Sequence, residues 1–484
     1  MRGRSGSSGG GAAVRRRGAL GLQGALRAPF VRSGMPFSGL PSRHGGGAAR
    51  LQTGHLGPGG RQVVAVDLRG SERGAPLGTE GARLLARAAE LALQRRVPLV
   101  AHLCFSGTDL VEGIPALDGW GRAARAWARC SGVVPLVAVV EDAVLSGPAL
   151  LLGLADAVVM TSRALCFISG PAAVAEVTGQ SVRPGELGGA GVHSTRSGLA
   201  TVVAPGPVEA ITAAAHLVGF LPSHTDELLP VLNSLDPPTR LTPQLRDVIP
   251  PSPVGSYDVR LVIEAVADQG DMLELRAGWA PQLVTALVRV AGRSVGVIAN
   301  QPQSMAGTLD ITASQKGARF VAFCDSFNIP LLTVVDTPGF MPGRDLEWRG
   351  MIRHGAELVF AYAEATVPRI CLVMRKAYGG AYIVMDSKAM GNDICLAWPS
   401  AELAVMGASG AVSVLHRRAS AEERARLAVE YEERFLNPYV AAERGYVDMV
   451  IDPAETRQAV ARCLDVLASK RERLIRRKHA NSPL

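Results

Sequence analysis

The chain has 484 residues, 48% of them hydrophobic and only 5% aromatic, which exceeds the usual size of one hydrophobic core and predicts two domains of roughly 200 residues each. Its net charge of +8 suggests a polyanionic partner, but residues 1–60 hold nine Arg and no Lys, Asp or Glu, so the remaining 42 basic residues face 43 acidic ones. A near-neutral body argues against nucleic acid, and the lack of any charge-free apolar run of about 18 residues argues against a membrane span.

In chain order, residues 1–60 form a leader with "GSSGGG" and "HGGGAAR", too rich in glycine and too poor in apolar residues to fold alone; disorder is expected. An Arg-rich, acid-free start also fits an organellar transit peptide, which keeps the mitochondrial matrix open as a location. Against it, Arg outnumbers Lys 46 to 5 over the whole chain, so the bias is not special to the leader. The expectation is a cytoplasmic bacterial protein with Met35 as an alternative start.

Two later stretches match in order and spacing. "GARLLARAAELALQRRVPLVAHL" (81–103) precedes "VVPLVAVVEDAVLSGPALLLGLADAVVM" (133–160), and "GARFVAFCDSFNIPLLTVVDTPGF" (317–340) precedes "TVPRICLVMRKAYGGAYIVM" (366–385). Each reads as a helix, a Pro-led buried strand, a second helix, another Pro-led strand and a glycine turn opening a helix, which in the second half is expected over 380–390. Pro98 to Pro135 is 37 residues and Pro330 to Pro368 is 38; from each second proline to the last Gly of the turn, Gly147 or Gly380, is 12. Two agreeing spacings imply a duplicated α/β domain. The expected halves are 61–233 and 257–484, joined by a Pro-rich linker over 234–256 that cannot hold a long helix or central strand. After residue 419, "SAEERARLAVEYEERF" predicts an amphipathic helix capped by Ser420.

The seven cysteines (104, 130, 166, 324, 371, 395, 463) sit in apolar surroundings with no C-x-x-C and no histidine at metal-ligand spacing, so buried reduced thiols are expected and no metal. His193 and His354 stand alone near small residues and read as structural groups. "VLSGP" lacks the G-x-S-x-G elbow, which argues against Ser146 as a nucleophile. "GELGGAG" (185–191) lacks the ending of a phosphate loop, and "DTPGF" (336–340) only superficially matches a nucleotide-switch loop.

What remains is the pair of turns, Ser146-Gly147 and Gly379-Gly380. A helix start leaves N–H groups unpaired and carries partial positive charge, and glycine lets a ligand oxygen approach the backbone. Paired backbone donors with little side-chain acid or base suit stabilisation of an enolate beside a thioester.

At this point the residues resemble a known family. "LDITASQKGARFVAFCDSFNIPLLTVVDTPGFMPG" (309–343), "IRHGAELVFAYAEATVPRICLVMRKAYGGAYIVMDSKAMGND" (352–393), "AWPSAELAVMGASGAV" (397–412) and the terminal "KHANSPL" are similar to the carboxyltransferase (beta) subunit of biotin-dependent acyl-CoA carboxylases of the propionyl-CoA carboxylase type, over about residues 160–484. The resemblance implies two tandem crotonase-like α/β domains with a C-terminal helical tail. It implies transfer of a carboxyl group from carboxybiotin on a carrier protein to acetyl- or propionyl-CoA. The bared biotin nitrogen takes the α-proton, and the enolate attacks the released CO2. Partners implied are a biotin carboxylase/biotin carboxyl carrier (alpha) subunit, which alone uses ATP and bicarbonate, and further copies of the chain in a hexamer. Carried over by position, Gly379 and Gly380 hold the biotin oxygen, Gly147 with Ser146 holds the thioester oxygen, and Ile383, beside Tyr378 and Ala381, lines the acyl pocket. An isoleucine there favours no strict propionyl preference.

The first half departs from the family pattern. Ser146-Gly147 stands where two glycines are usual, and Ser146 keeps the backbone donor provided φ stays below zero. "CFSGTDLVEG" (104–113) replaces a D-S-G-G-A-R-I-Q-E-G-like loop, placing Asp109 where the family has Arg; CoA binding is expected to weaken by about 1–3 kcal/mol. Much of the family's N-terminal helical arm is also absent. The alternatives are a biotin-dependent decarboxylase or transcarboxylase using the same turns, or a catalytically degenerate paralogue that assembles with an active subunit.

Overall fold

Strands that are apolar at every position need cover on both faces, and the two Pro-led pairs find it in two sheets of one design. The computed structural model describes residues 30–32, 49–56, 60–69, 74–252 and 254–483. The first sheet contains β1 (Phe30–Arg32), β2 (Arg50–Leu56), β3 (Arg61–Arg69), β4 (Leu99–Phe105), β5 (Leu136–Leu145), β6 (Ala157–Thr161), β7 (Leu165–Phe167) and β8 (Val202–Ala204). Their order is β1-β2-β3-β4-β5-β6-β8, with β7 on β5. The second contains β9 (Met272–Leu275), β10 (Leu283–Val290), β11 (Arg293–Asn300), β12 (Leu331–Thr337), β13 (Arg369–Tyr378), β14 (Ile394–Ala397), β15 (Glu402–Ala404) and β16 (Met449–Val450). Its order, β9-β10-β11-β12-β13-β14-β16 with β15 on β13, repeats the first strand for strand.

The duplication extends to an irregularity. β4 pairs in parallel with β5 up to Leu103↔Val140 and resumes at Phe105↔Val144; β12 pairs with β13 up to Val335↔Val373 and resumes at Thr337↔Ala377. In each half one residue opposes three, so β5 and β13 bulge by two residues. Beyond the bulge each strand pairs with its short neighbour, β7 or β15, and ends at the glycine turn.

One apolar core lies within the first half, between its sheet and helices such as Thr79–Arg95, whose buried face is Ala82, Leu85, Ala89 and Ala92. A second lies under helices Arg260–Val266 and Thr456–Val466. The largest joins the two halves through helices Pro207–Phe220 and Ile311–Ser326. Helix Ala421–Phe435 starts where expected, with Ser420 Oγ accepting from Glu423 N (3.1 Å), but buries no residue in the single chain.

Lys316 helps fasten the junction. Its buried Nζ donates to the carbonyls of Arg276 (3.0 Å) and Trp279 (2.8 Å), and Arg276 Nε donates to Gly198 O (2.8 Å) in the first half. Burial is the main force on this ammonium and lowers its pKa from 10.5 to about 7. The unfolded chain therefore binds more protons between those values, and stability rises with pH through that window. Lys316→Met is expected to flatten the rise by about 2 kcal/mol between pH 7 and 9, read from urea midpoints. An unchanged slope would show that Lys316 does not titrate there.

Three expectations need correction. The leader does not extend as disorder to residue 60: Arg50–Leu56 is a strand antiparallel to β3, which buries Leu51 against the core of the first half and Leu56 on its other face against the core that joins the halves; the earlier residues, 30–32 and 49 apart, lie outside the described chain. The helix after Gly379 ends at Val384 and does not run to residue 390, since Asp386 takes φ +59°. The third concerns Ser146.

Candidate active site

β5 and β13 are each ten residues long, and each delivers its glycine turn 12 residues after the leading proline. Neither turn is packed away. Gly380 is exposed, and Gly379, Ser146 and Gly147 are partly so.

In the second half the helix Gly379–Val384 starts without a proline, so Gly380 and Ala381 both carry an N–H in its first turn. Gly379 has φ +59°, and a Cβ there would lie 3.1 Å from Val405 O, so glycine is required by conformation and by space. At Gly380 a Cβ would meet only the Phe340 ring, at 3.6 Å. The absence of a side chain there opens the backbone to solvent and is not required by packing. Ala381 is buried, and Ile383 is 39% exposed on the same short helix. The Tyr378 hydroxyl is engaged elsewhere, donating to Glu402; burial, then that carboxylate, raise its pKa.

The first half is poorer in donors. Ser146 N–H donates to Phe167 O (2.8 Å), Pro148 has no N–H, and Ala149 N–H returns to Ser146 O (2.9 Å). Gly147 supplies the remaining N–H of the turn, with the Trp120 ring 3.4 Å from where a Cβ would stand. Ser146 has φ +65° and ψ −162°, so the condition set for it, a negative φ, is not met. The turn that follows the bulge imposes a positive φ, as at Gly379, and Ser146 occupies a region otherwise essentially reserved for glycine. Gly107 makes room for it; a Cβ there would lie 3.2 Å from that of Ser146. Relief of strain of about 1–3 kcal/mol, less about 0.5–1 for glycine's freer unfolded chain, predicts that Ser146→Gly stabilises the protein by about 1 kcal/mol. A lower denaturation midpoint in that variant would contradict the strain.

Asp109 caps its own loop. Its Oδ1 accepts from Val111 N (2.8 Å) and Glu112 N (3.4 Å), and Glu112 in turn accepts from Thr79 N and Oγ1 at the start of helix Thr79–Arg95. Leu110 and Val111 on the same loop, and Ile114 at the start of the helix that follows, are exposed. His193 lies between Ser197 Oγ and Cys166 O (2.7 Å each), and His354 meets Gln315 and Glu357, so both are structurally engaged. All seven cysteines are buried with free thiols. Among the described residues, no group of three His, Cys, Asp or Glu could hold a metal, and no helix is long and apolar enough to cross a membrane. A groove of about 820 Å³ between Leu235–Val248 and Leu261–Gly270 touches neither turn.

Nothing read in the sequence marked Asp336 and Arg375, which lie beneath the second turn. Asp336 accepts from Tyr257 Oη (2.7 Å), Arg375 Nε (3.1 Å) and Lys376 N (3.1 Å). Their signal was available: an acid and a base close two apolar runs, "VVD" (334–336) and "ICLVMR" (370–375).

Comparison with known proteins agrees with this fold. The model of the family described as carboxyl transferase domain matches residues 49–482, which extends the similarity well ahead of residue 160. The propionyl-CoA carboxylase beta chain of Saccharopolyspora erythraea is 44% identical over 444 residues, covering 88% of this chain and 81% of that protein. The methylmalonyl-CoA carboxyltransferase 12S subunit of Propionibacterium freudenreichii subsp. shermanii is 44% identical over 432 residues (88% and 82%), and the methylmalonyl-CoA decarboxylase subunit alpha of Veillonella parvula 41% over 426 (88% and 83%). The solved transcarboxylase 12S hexamer with methylmalonyl-CoA bound superposes with a TM-score of 0.86 at 43% identity, over 90% of this chain and 85% of that one.

Proposed function

Because the chain belongs to the carboxyl transferase domain family, we propose that it is the carboxyltransferase subunit of an acyl-CoA carboxylase, its two glycine turns holding the two oxygens on which charge develops. The observation that carries the reading is the duplication of sheet, bulge and turn in one chain. Carboxybiotin on a partner's carrier supplies the carboxyl group. The second turn fits it: Gly380 is exposed, and only the Phe340 ring lies near where a Cβ would stand, so a planar ureido oxygen can reach the N–H groups of Gly380 and Ala381. In the first half Gly147 N–H is directed to the thioester oxygen, whose partial charge grows as the α-proton leaves. Asp109, already occupied in its loop, adds negative charge near a polyanionic CoA and offers no contact to it. Ile383 supplies an apolar wall for the acyl chain.

The biotin carboxylase and carrier belong to partner proteins, and ATP and bicarbonate are consumed there. A homo-oligomer is expected, by likeness to the 12S hexamer. A panel of acetyl- and propionyl-CoA with biotin carboxylase, biotinylated carrier, ATP and bicarbonate is expected to yield malonyl- or methylmalonyl-CoA. No product from any member of the panel would sink the reading. Relatives named for decarboxylation and transcarboxylation are as similar as the carboxylases, so the same turns serve a reverse direction equally well. Avidin-sensitive CO2 loss from a malonyl thioester without ATP would show that direction.

A further inference from the structure

Both strands that feed the turns bulge by two residues, and a bulge displaces N–H groups from the ladder. In the second half the displaced region is Met374–Lys376, and the residue opposite it on β12 is Asp336. Asp336 is 1% exposed and Arg375 7%. One carboxylate oxygen accepts the Lys376 N–H (3.1 Å); the other accepts from Tyr257 Oη (2.7 Å) and pairs with Arg375 Nη2 (3.0 Å). Arg375 Nη1 then reaches Gly255 O (2.8 Å). Asp336 is itself anchored, its N–H donating to Asn300 Oδ1 on β11 (3.3 Å).

A buried ion pair is often no more stabilising than apolar side chains of the same volume, so stability alone is a weak reason for this one. Its location supplies a better reason. Lys376 is three residues before Gly379, and the other end of the same DTPGF segment, Phe340, lies against Gly380. The first half provides a built-in comparison: Cys104 holds the matching place on β4, opposite the bulge residues Glu141–Ala143. There a thiol stands where the second half has a carboxylate.

We infer that Asp336 is the positioning residue of the second turn: its carboxylate pins the β13 bulge and so aims the N–H groups of Gly380 and Ala381. This rests on the proposed function for what the turn binds, but the pin itself can be read without turnover. In Asp336→Asn, amide hydrogen exchange at Lys376 to Tyr378 is expected to quicken at least about tenfold, with Ala143 to Leu145 unchanged. With free biotin as acceptor and methylmalonyl-CoA as donor, kcat is expected to fall roughly 10- to 100-fold while the KM for the CoA ester stays within about twofold. Exchange at Lys376 within twofold of wild type, or faster exchange throughout the chain with kcat falling only in step with the folded fraction, would overturn the inference.

Should Asp336→Asn fail to fold, Arg375→Lys decides by the same criteria. It keeps the charge but loses the several contacts of the guanidinium, and about three- to tenfold effects confined to the same amides and to kcat are expected. Wild-type protein that transfers no carboxyl group would sink the proposed function and leave the exchange result to judge the pin. Active wild type with unchanged exchange in both variants would sink the pin alone.

Discussion

Replacing Gly380 by valine is expected to slow carboxyl transfer by roughly 10²–10³-fold without loosening the fold, the usual effect of losing one oxyanion donor. Gly380 is exposed and needs no left-handed φ, and a Cβ there meets the Phe340 ring at an ordinary 3.6 Å. Valine therefore fits the protein, but its two methyl groups stand over the N–H groups of the turn. The neighbouring position behaves differently. Gly379→Ala forces a side chain onto φ +59° and within 3.1 Å of Val405 O, so its effect mixes strain with chemistry. The informative pair of measurements is rate and denaturation midpoint for Gly380→Val. A rate within twofold of wild type at an unchanged midpoint would remove the second turn from the reaction.

The largest expected loss of stability follows from Arg457→Met, at about 3–5 kcal/mol. Arg457 is fully buried; Nη2 donates to Asp268 Oδ1 (2.6 Å) and Asp236 O (3.1 Å), and Nη1 to Val266 O. Asp268 in turn accepts the N–H groups of Ala291 (2.9 Å) and Gly292 (2.7 Å) at the β10–β11 turn, while Asp236 holds Arg240 and Gln269 N. The arginine thus ties the C-terminal helix, the 234–256 segment and a β-turn through one charge centre. Methionine fills the volume but leaves the Asp268 carboxylate buried without its cation. The exposed Arg83–Glu80 pair sets the scale: both side chains are 64% exposed, and Arg83→Ala is expected to change stability by less than about 1 kcal/mol. A urea midpoint for Arg457→Met no lower than that of Arg83→Ala, at equal m, would show that Asp268 finds compensation elsewhere.

The duplicated architecture was legible because its signals are local and repeated. Pro98, Pro135, Pro330 and Pro368 mark strand starts, apolar runs mark strands covered on both faces, and the 12-residue step from proline to glycine records equal strand lengths. The motifs from 309 to 412 carried the family resemblance, whereas the divergent stretch before 160 concealed a match that begins at residue 49. The strand Arg50–Leu56 was read as leader because glycine-rich sequence runs up to its edge.

Composition and spacing by themselves determined two α/β halves, the two turns and the chemistry that bare amide groups suit, since periodicity and glycine placement are properties of the chain alone. Only the tertiary structure decided that Ser146 has positive φ, that Asp109 caps its own loop, and that Asp336 sits opposite the β13 bulge. Backbone torsion at a turn and the partner of a buried carboxylate are set by which strands lie side by side, and residues 336 and 376 become neighbours only when β12 and β13 pair.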